Sequence, residues 1–217
     1  VLALVFGWLM YLRLQSPQVV LSDYQPRNRS GMTGSAGRAP AAIADETSLR
    51  FKALLAAKNL RDLRDFGLKI GAENPDKIQS LLSEFFPGWE KKAGLSREGS
   101  LFLRAALIAW AKNDPQAAAE WSIAHLPNGA DFTFALHVAM EHDVARDPEA
   151  ALLWAESLTP GRGRECALKA GMEALAAKDP VAASERILKI QSFQDQDLAC
   201  ETIAWHWARK DPRAALA

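Results

Sequence analysis

Between residues 96 and 210 the apolar positions recur with the period of an α-helix, and whole columns of like residues return every 32 or 33 positions. The columns align on an Asp-Pro pair that occurs at Asp114-Pro115, Asp147-Pro148, Asp179-Pro180 and Asp211-Pro212. Thirteen residues before each Asp stand Leu101, Phe134, Cys166 and Leu198; eleven before stand Leu103, Leu136, Leu168 and Cys200; seven before stand Leu107, Met140, Met172 and Ala204. Ten before, the column turns polar, with Arg104, His137, Lys169 and Glu201. Nine and eight before, residues are often small, as in Ala105-Ala106 and Ala170-Gly171. This pattern predicts a long amphipathic helix, B, leading into each Asp-Pro. Lys112, Arg146, Lys178, Arg209 and Lys210 crowd its last turn, where cations suit the helix dipole.

The Asp-Pro pair itself predicts the start of a second helix. An aspartate carboxylate accepts the free amide hydrogens of a first turn. Proline fits the first helical position, where its missing N–H costs nothing. Asp114, Pro115, Asp147, Pro148, Asp179, Pro180, Asp211 and Pro212 are therefore read as structural caps. The short helix A they open is expected over residues 115–126, 148–158 and 180–190. Each pair is followed by one variable residue and two alanines, Ala117-Ala118, Ala150-Ala151, Ala182-Ala183 and Ala214-Ala215, which allow close approach to a neighbour. Seven residues after Asp, two copies carry Trp121 and Trp154 and the third carries Arg186. Pro127 and Pro160 mark the loop that follows.

Each unit is thus an αα-hairpin of about 32 residues. One hairpin cannot bury its own apolar face, so the units must stack. Upstream, Asn74-Pro75 replaces Asp-Pro in a degenerate unit with helices over 76–86 and 96–113, its extra length lying in the loop around residues 87–94. Residues 46–57 and 60–70 form a further helix pair that caps the array. The fold class expected is all-α.

The repeat resembles the tetratricopeptide-type and HEAT-type α-solenoids. The resemblance covers residues 46–217 and rests on the period, on small residues at helix crossings and on proline at the unit boundary. The stretch from Trp110 to Trp121 departs from the tetratricopeptide pattern, and the period is one or two residues shorter. The resemblance implies αα-hairpins stacked into a right-handed solenoid, with a concave surface that binds protein or peptide and no catalysis.

The first twelve residues, VLALVFGWLMYL, carry no charge. They make about 18 Å of helix, short of the roughly 30 Å hydrocarbon core. Residues 1–14 are therefore read as a signal-peptide core or the remainder of a membrane span. Trp8 and Tyr11 suit an interfacial belt. The nearest A-x-A cleavage pattern, Ala42-Ile43-Ala44, lies too far downstream, which favours an uncleaved anchor. Residues 15–45, rich in Pro, Gly and Ser, read as a flexible linker. The array over 46–217 is expected outside the cytoplasm and, because the last Asp-Pro lies near Ala217, to continue beyond it.

Composition narrows the chemistry. Lys and Arg total 26, as do Asp and Glu, so the net charge is zero and a global basic field for nucleic acid is excluded. Two cysteines exclude a disulfide-rich scaffold and a four-thiolate zinc site. Cys166 and Cys200 are read as small buried hydrophobes in preference to a disulfide. His125, His137, His142 and His206 form no H-E-x-x-H and are read as ordinary helix residues. Glu141, Asp143 and Asp147 mimic a carboxylate cluster, but Asp147 is a cap and Asp143 is placed in a solvated last turn. Gly161-Arg162-Gly163-Arg164 has the makings of an anion site, yet lacks the strand and P-loop lysine, and is read as a solvated turn. The tryptophans are mostly packing residues. Trp205 and Trp207 are two apart and cannot face one core together, so Trp205 joins the polar column as a candidate contact.

No catalytic, metal or cofactor residue is expected. The partner contacts expected are Arg104, His137, Lys169, Glu201 and Trp205. The function expected is a non-enzymatic, membrane-tethered scaffold for a protein or peptide partner, with no nucleic acid and no small-molecule cofactor. The alternative is the helical accessory region of a larger cell-envelope enzyme acting on peptidoglycan, its catalytic domain lying beyond residue 217. A sensor or regulator is the third.

Overall fold

Each Asp-Pro pair among the described residues joins two helices with no loop between them. The computed structural model describes residues 41–91 and 94–210. Within them run ten α-helices: α1 (Ala41–Ala57), α2 (Leu60–Glu73), α3 (Lys77–Phe85), α4 (Arg97–Asn113), α5 (Pro115–His125), α6 (Ala130–Arg146), α7 (Pro148–Ser157), α8 (Arg162–Lys178), α9 (Pro180–Ile187) and α10 (Phe193–Lys210). No strand occurs among the described residues.

The corner is made by one residue with two roles. The amide of Asp114 donates to Trp110 O at 2.8 Å and closes α4, while its carboxylate accepts the Ala117 amide at 3.2 Å and opens α5. Asp147 does the same between Asp143 O and the Ala150 amide. Asp179 does it between Leu175 O and the amides of Val181 and Ala182. The three backbones agree closely, at φ/ψ of −140/88°, −149/97° and −144/95°. The cause is local: a residue before proline is driven out of the α region, so the helix must break there. Each cap is worth about 1 kcal/mol. At the degenerate unit Asn74 closes α2 in the same way, but α3 starts later, at Lys77, and its N-cap Asp76 makes no side-chain cap hydrogen bond.

The long helices form one row: α2 packs on α4, α4 on α6, α6 on α8 and α8 on α10. Each short helix, α3, α5, α7 and α9, leans on the long helix before it and the one after. Pairing thus follows chain order. The core lies between the rows. The columns eleven and seven residues before Asp supply Leu103, Leu136, Leu168, Leu107, Met140 and Met172, all buried. The small column eight before supplies Ala106, Ala139 and Gly171 to the crossings. Among the described glycines the tightest approach is at Gly71 of α2, where a Cβ would stand 1.9 Å from Ala106 O.

The column seven residues after Asp reaches back to the preceding unit. Trp121 stacks on Trp89, the Trp154 indole N–H donates to Glu120 at 3.4 Å, and Arg186 pairs with Glu156. Arg146, expected to serve its own helix end, donates to the carbonyls of Lys112 and Asn113 at the end of α4. A side chain that long finds the neighbouring helix terminus, where carbonyls are left without intrahelical donors.

Three boundaries differ from expectation by three residues or more, the first being the helix expected over 60–70, which runs on to Glu73. The helix expected from residue 46 begins at Ala41, inside the expected linker, because the alanines after Pro40 favour helix. The helix expected over 180–190 ends at Ile187, and residues 188–190 turn through amide bonds from Lys189 to Arg186 O and Ile190 to Ile187 O. The anchor, most of the linker, and Asp211 and Pro212 lie outside the described residues. No helix among the described residues is long and apolar enough to cross a membrane.

Candidate partner-binding groove

On a helix, residues three and four apart share a face. Arg97, Ser100, Leu101, Arg104 and Ile108 therefore make one stripe on α4, opposite the buried Phe102, Leu103, Ala106 and Leu107. The same register places His137 on α6, Lys169 on α8, and Glu201 with Trp205 on α10. All five expected contact residues thus sit on the core-averted stripe of a long helix. Arg104 is half-buried and the other four are exposed.

Two hollows open along these stripes and share Arg104. The first, about 500 Å³, lies between Leu60, Arg61 and Arg64 of α2 and Arg97, Ser100, Leu101 and Arg104 of α4. The second, about 720 Å³, is bounded by Arg104, by Asn128, Gly129, Ala130, Thr133, Phe134 and His137 at the start of α6, and by Arg162 of α8. Neither wall contains a carboxylate. The positive ends of the helix dipoles of α4, α6 and α8 add to the field here.

Arg104 is held in place. Its Nε donates to Asp131 Oδ1 at 2.6 Å, and its guanidinium lies 4.8 Å from the Phe134 ring centroid. Asp131 also accepts from Ser100 at 2.8 Å, so one carboxylate ties α4 to α6. His137 Nδ1 stands 3.6 Å from Glu173 of α8. Two members of the polar column thus reach the next long helix while remaining part of the groove. Lys169, Glu201 and Trp205 lie outside both hollows. Trp205 is 56% exposed, and its ring carries the Arg209 guanidinium at 4.6 Å.

Arg61, Arg64 and Arg97 were not among the residues the repeat columns singled out. The signal that finds them is the helical stripe: Arg97 lies seven residues, two turns, before Arg104. Gly161-Arg162-Gly163-Arg164, read as a solvated turn, divides: Arg162 borders the second hollow, while Arg164 is mostly buried and pairs with Asp195 of α10. Packing of α10 over the start of α8 removes that guanidinium from water.

Asp143 is also only partly solvated. It is half-buried and accepts from Gln116 Nε2 of α5 at 3.0 Å. Burial pushes its carboxyl above the usual range against the Gln116 bond and Arg146, and Asp114 and Asp147 add to the rise. A carboxyl raised on folding binds its proton more tightly in the native state, so its charged form costs stability, and that cost is relieved as pH falls through the folded value. Asp143→Asn keeps an acceptor for Gln116 and removes the charge. Urea unfolding should show it more stable than the parent at pH 7, by about 1 kcal/mol or less after solvent screening. The gap should close near pH 3, below the ordinary value of 3.8; an equal gap at both pH values would refute the assignment.

Cys166 and Cys200 are free thiols, buried and half-buried, and burial raises both. Among the described residues no group of three or more His, Cys, Asp or Glu is arranged to hold a metal ion. Comparison with protein families, curated proteins and solved structures finds no match to this chain.

Proposed function

We propose that the chain is a non-enzymatic helical-repeat scaffold that binds a protein or peptide partner in the groove along α2, α4, α6 and α8. In this reading the αα-hairpins stack as a right-handed solenoid of tetratricopeptide-like type. The recurring Asp-Pro corner and helix pairing in chain order support that stacking. The observation that carries the binding role is the pair of adjoining hollows joined at Arg104, on helix faces that the core does not use. The uncharged run of residues 1–12 supports a membrane tether for the scaffold, with the array outside the cytoplasm.

A photo-crosslinking side chain at Thr133, inside the second hollow, tests the groove in the cells that make the protein. A discrete protein adduct is expected from position 133 and not from the exposed position Glu185 on α9, in the short-helix row. Adducts of equal yield from both positions, or none from 133, would remove the groove from consideration.

A further inference from the structure

The charge of the groove sets what its occupant must carry. The whole chain is neutral, yet the two hollows together are walled by five arginines and one histidine, with no acid among them. Arg61 and Arg97 are exposed and make no ion pair among the described residues. Arg64, Arg104 and Arg162 each face one carboxylate but leave 55%, 38% and 58% of the side chain exposed. A guanidinium presents five N–H donors in a fork, and one carboxylate does not fill it.

Building on the reading that a partner occupies this groove, we propose that the occupant is an acidic peptide segment, with several glutamate or aspartate side chains separated by apolar ones. The arginine forks match carboxylates bidentately. Leu60 and Leu101 lie between them and would take the apolar side chains. Single-stranded nucleic acid fits less well, because it binds through open aromatic faces and the Phe134 ring is already covered by Arg104. A flat membrane surface fits less well too, because the arginines surround recesses.

Fluorescence anisotropy with the full 217-residue chain and a labelled peptide of alternating glutamate and leucine tests this. Binding should saturate and weaken about tenfold or more between low salt and about 0.5 M salt. The double variant Arg61→Glu, Arg97→Glu should weaken it by about tenfold or more at low salt. Both changes put a carboxylate in the first turn of a helix, where the dipole favours it, so the fold is kept, as circular dichroism would verify. Lys52→Glu on α1, exposed and outside the hollows, should leave affinity within about twofold. Should the double variant unfold, the parent chain still decides by comparison with a glutamine–leucine peptide. Equal binding of that peptide overturns the acidic occupant, whereas the groove itself stands or falls by the adducts at position 133. No binding of the glutamate peptide overturns it as well. Tighter binding of a single-stranded RNA of equal charge, or binding of phosphatidylglycerol vesicles that the double variant loses, overturns it in favour of that ligand.

Discussion

Gly71→Ala is expected to lower the unfolding free energy by about 3 kcal/mol or more, at the upper end of what overpacking costs. The added methyl would stand 1.9 Å from Ala106 O, 2.6 Å from its carbonyl carbon and 2.8 Å from its Cα. All three are backbone atoms of α4, so no side chain can rotate away and one helix must move as a whole. Gly67 lies one turn earlier on the same face, where a Cβ would meet Phe102 O at 2.6 Å. Two glycines therefore set the distance between α2 and α4, and moving α2 opens the packing of Phe66 and Ile70 as well. Intrinsic propensity acts the other way, since alanine favours a helix interior over glycine by about 1 kcal/mol. The steric term is larger, so the sign is destabilising. Urea unfolding followed by tryptophan fluorescence measures it. A variant as stable as the parent would mean that α2 and α4 do not cross this closely.

The second large effect concerns Arg186. Its side chain is 3% exposed and stands where the two earlier units place tryptophan. It pairs with Glu156, and its Nε lies 3.3 Å from Glu149 without the alignment of a hydrogen bond. Nη1 makes no hydrogen bond either. Burial raises the Glu156 carboxyl even though the Arg186 charge and its hydrogen bond oppose the rise. The pair therefore does not fully offset its own desolvation. Two outcomes follow from that balance. Arg186→Ala leaves Glu156 buried without its partner and should cost about 3–5 kcal/mol. Arg186→Met combined with Glu156→Leu removes both charges and fills the space, and should come within about 1 kcal/mol of the parent or exceed it. A double variant as unstable as Arg186→Ala alone would show that other partners hold the arginine.

The expected helices agree with the observed ones where local chemistry decides. Asp114, Asp147 and Asp179 act over three residues and sit beside a proline, so their corner is visible in a short stretch of chain. The amphipathic columns of α4, α6 and α8 are equally local, since helical period and burial are two views of one stripe. The column ten residues before Asp stands on the side of each long helix away from the core. Its ties from Arg104 to Asp131 and from His137 to Glu173 span 27 and 36 residues, and no local pattern points to them.

The groove shows the same division. Arg97 and Arg104 share a helix stripe, so their proximity is a matter of helical geometry. That Arg61 and Arg64 face them depends on how closely α2 approaches α4, which Gly67 and Gly71 permit. Asp143 and Arg164 were placed in water because each stands near a helix end, but the neighbouring units cover them.

The amino-acid order by itself determined that the described residues form a series of capped helices in pairs, because caps, proline and apolar period act within a few residues. The tertiary structure alone decided which charges are buried, which helices touch through bare backbone and where arginines from separate helices meet. Those outcomes depend on separations of a few ångströms between residues about thirty or more positions apart, and local chemistry does not encode such distances.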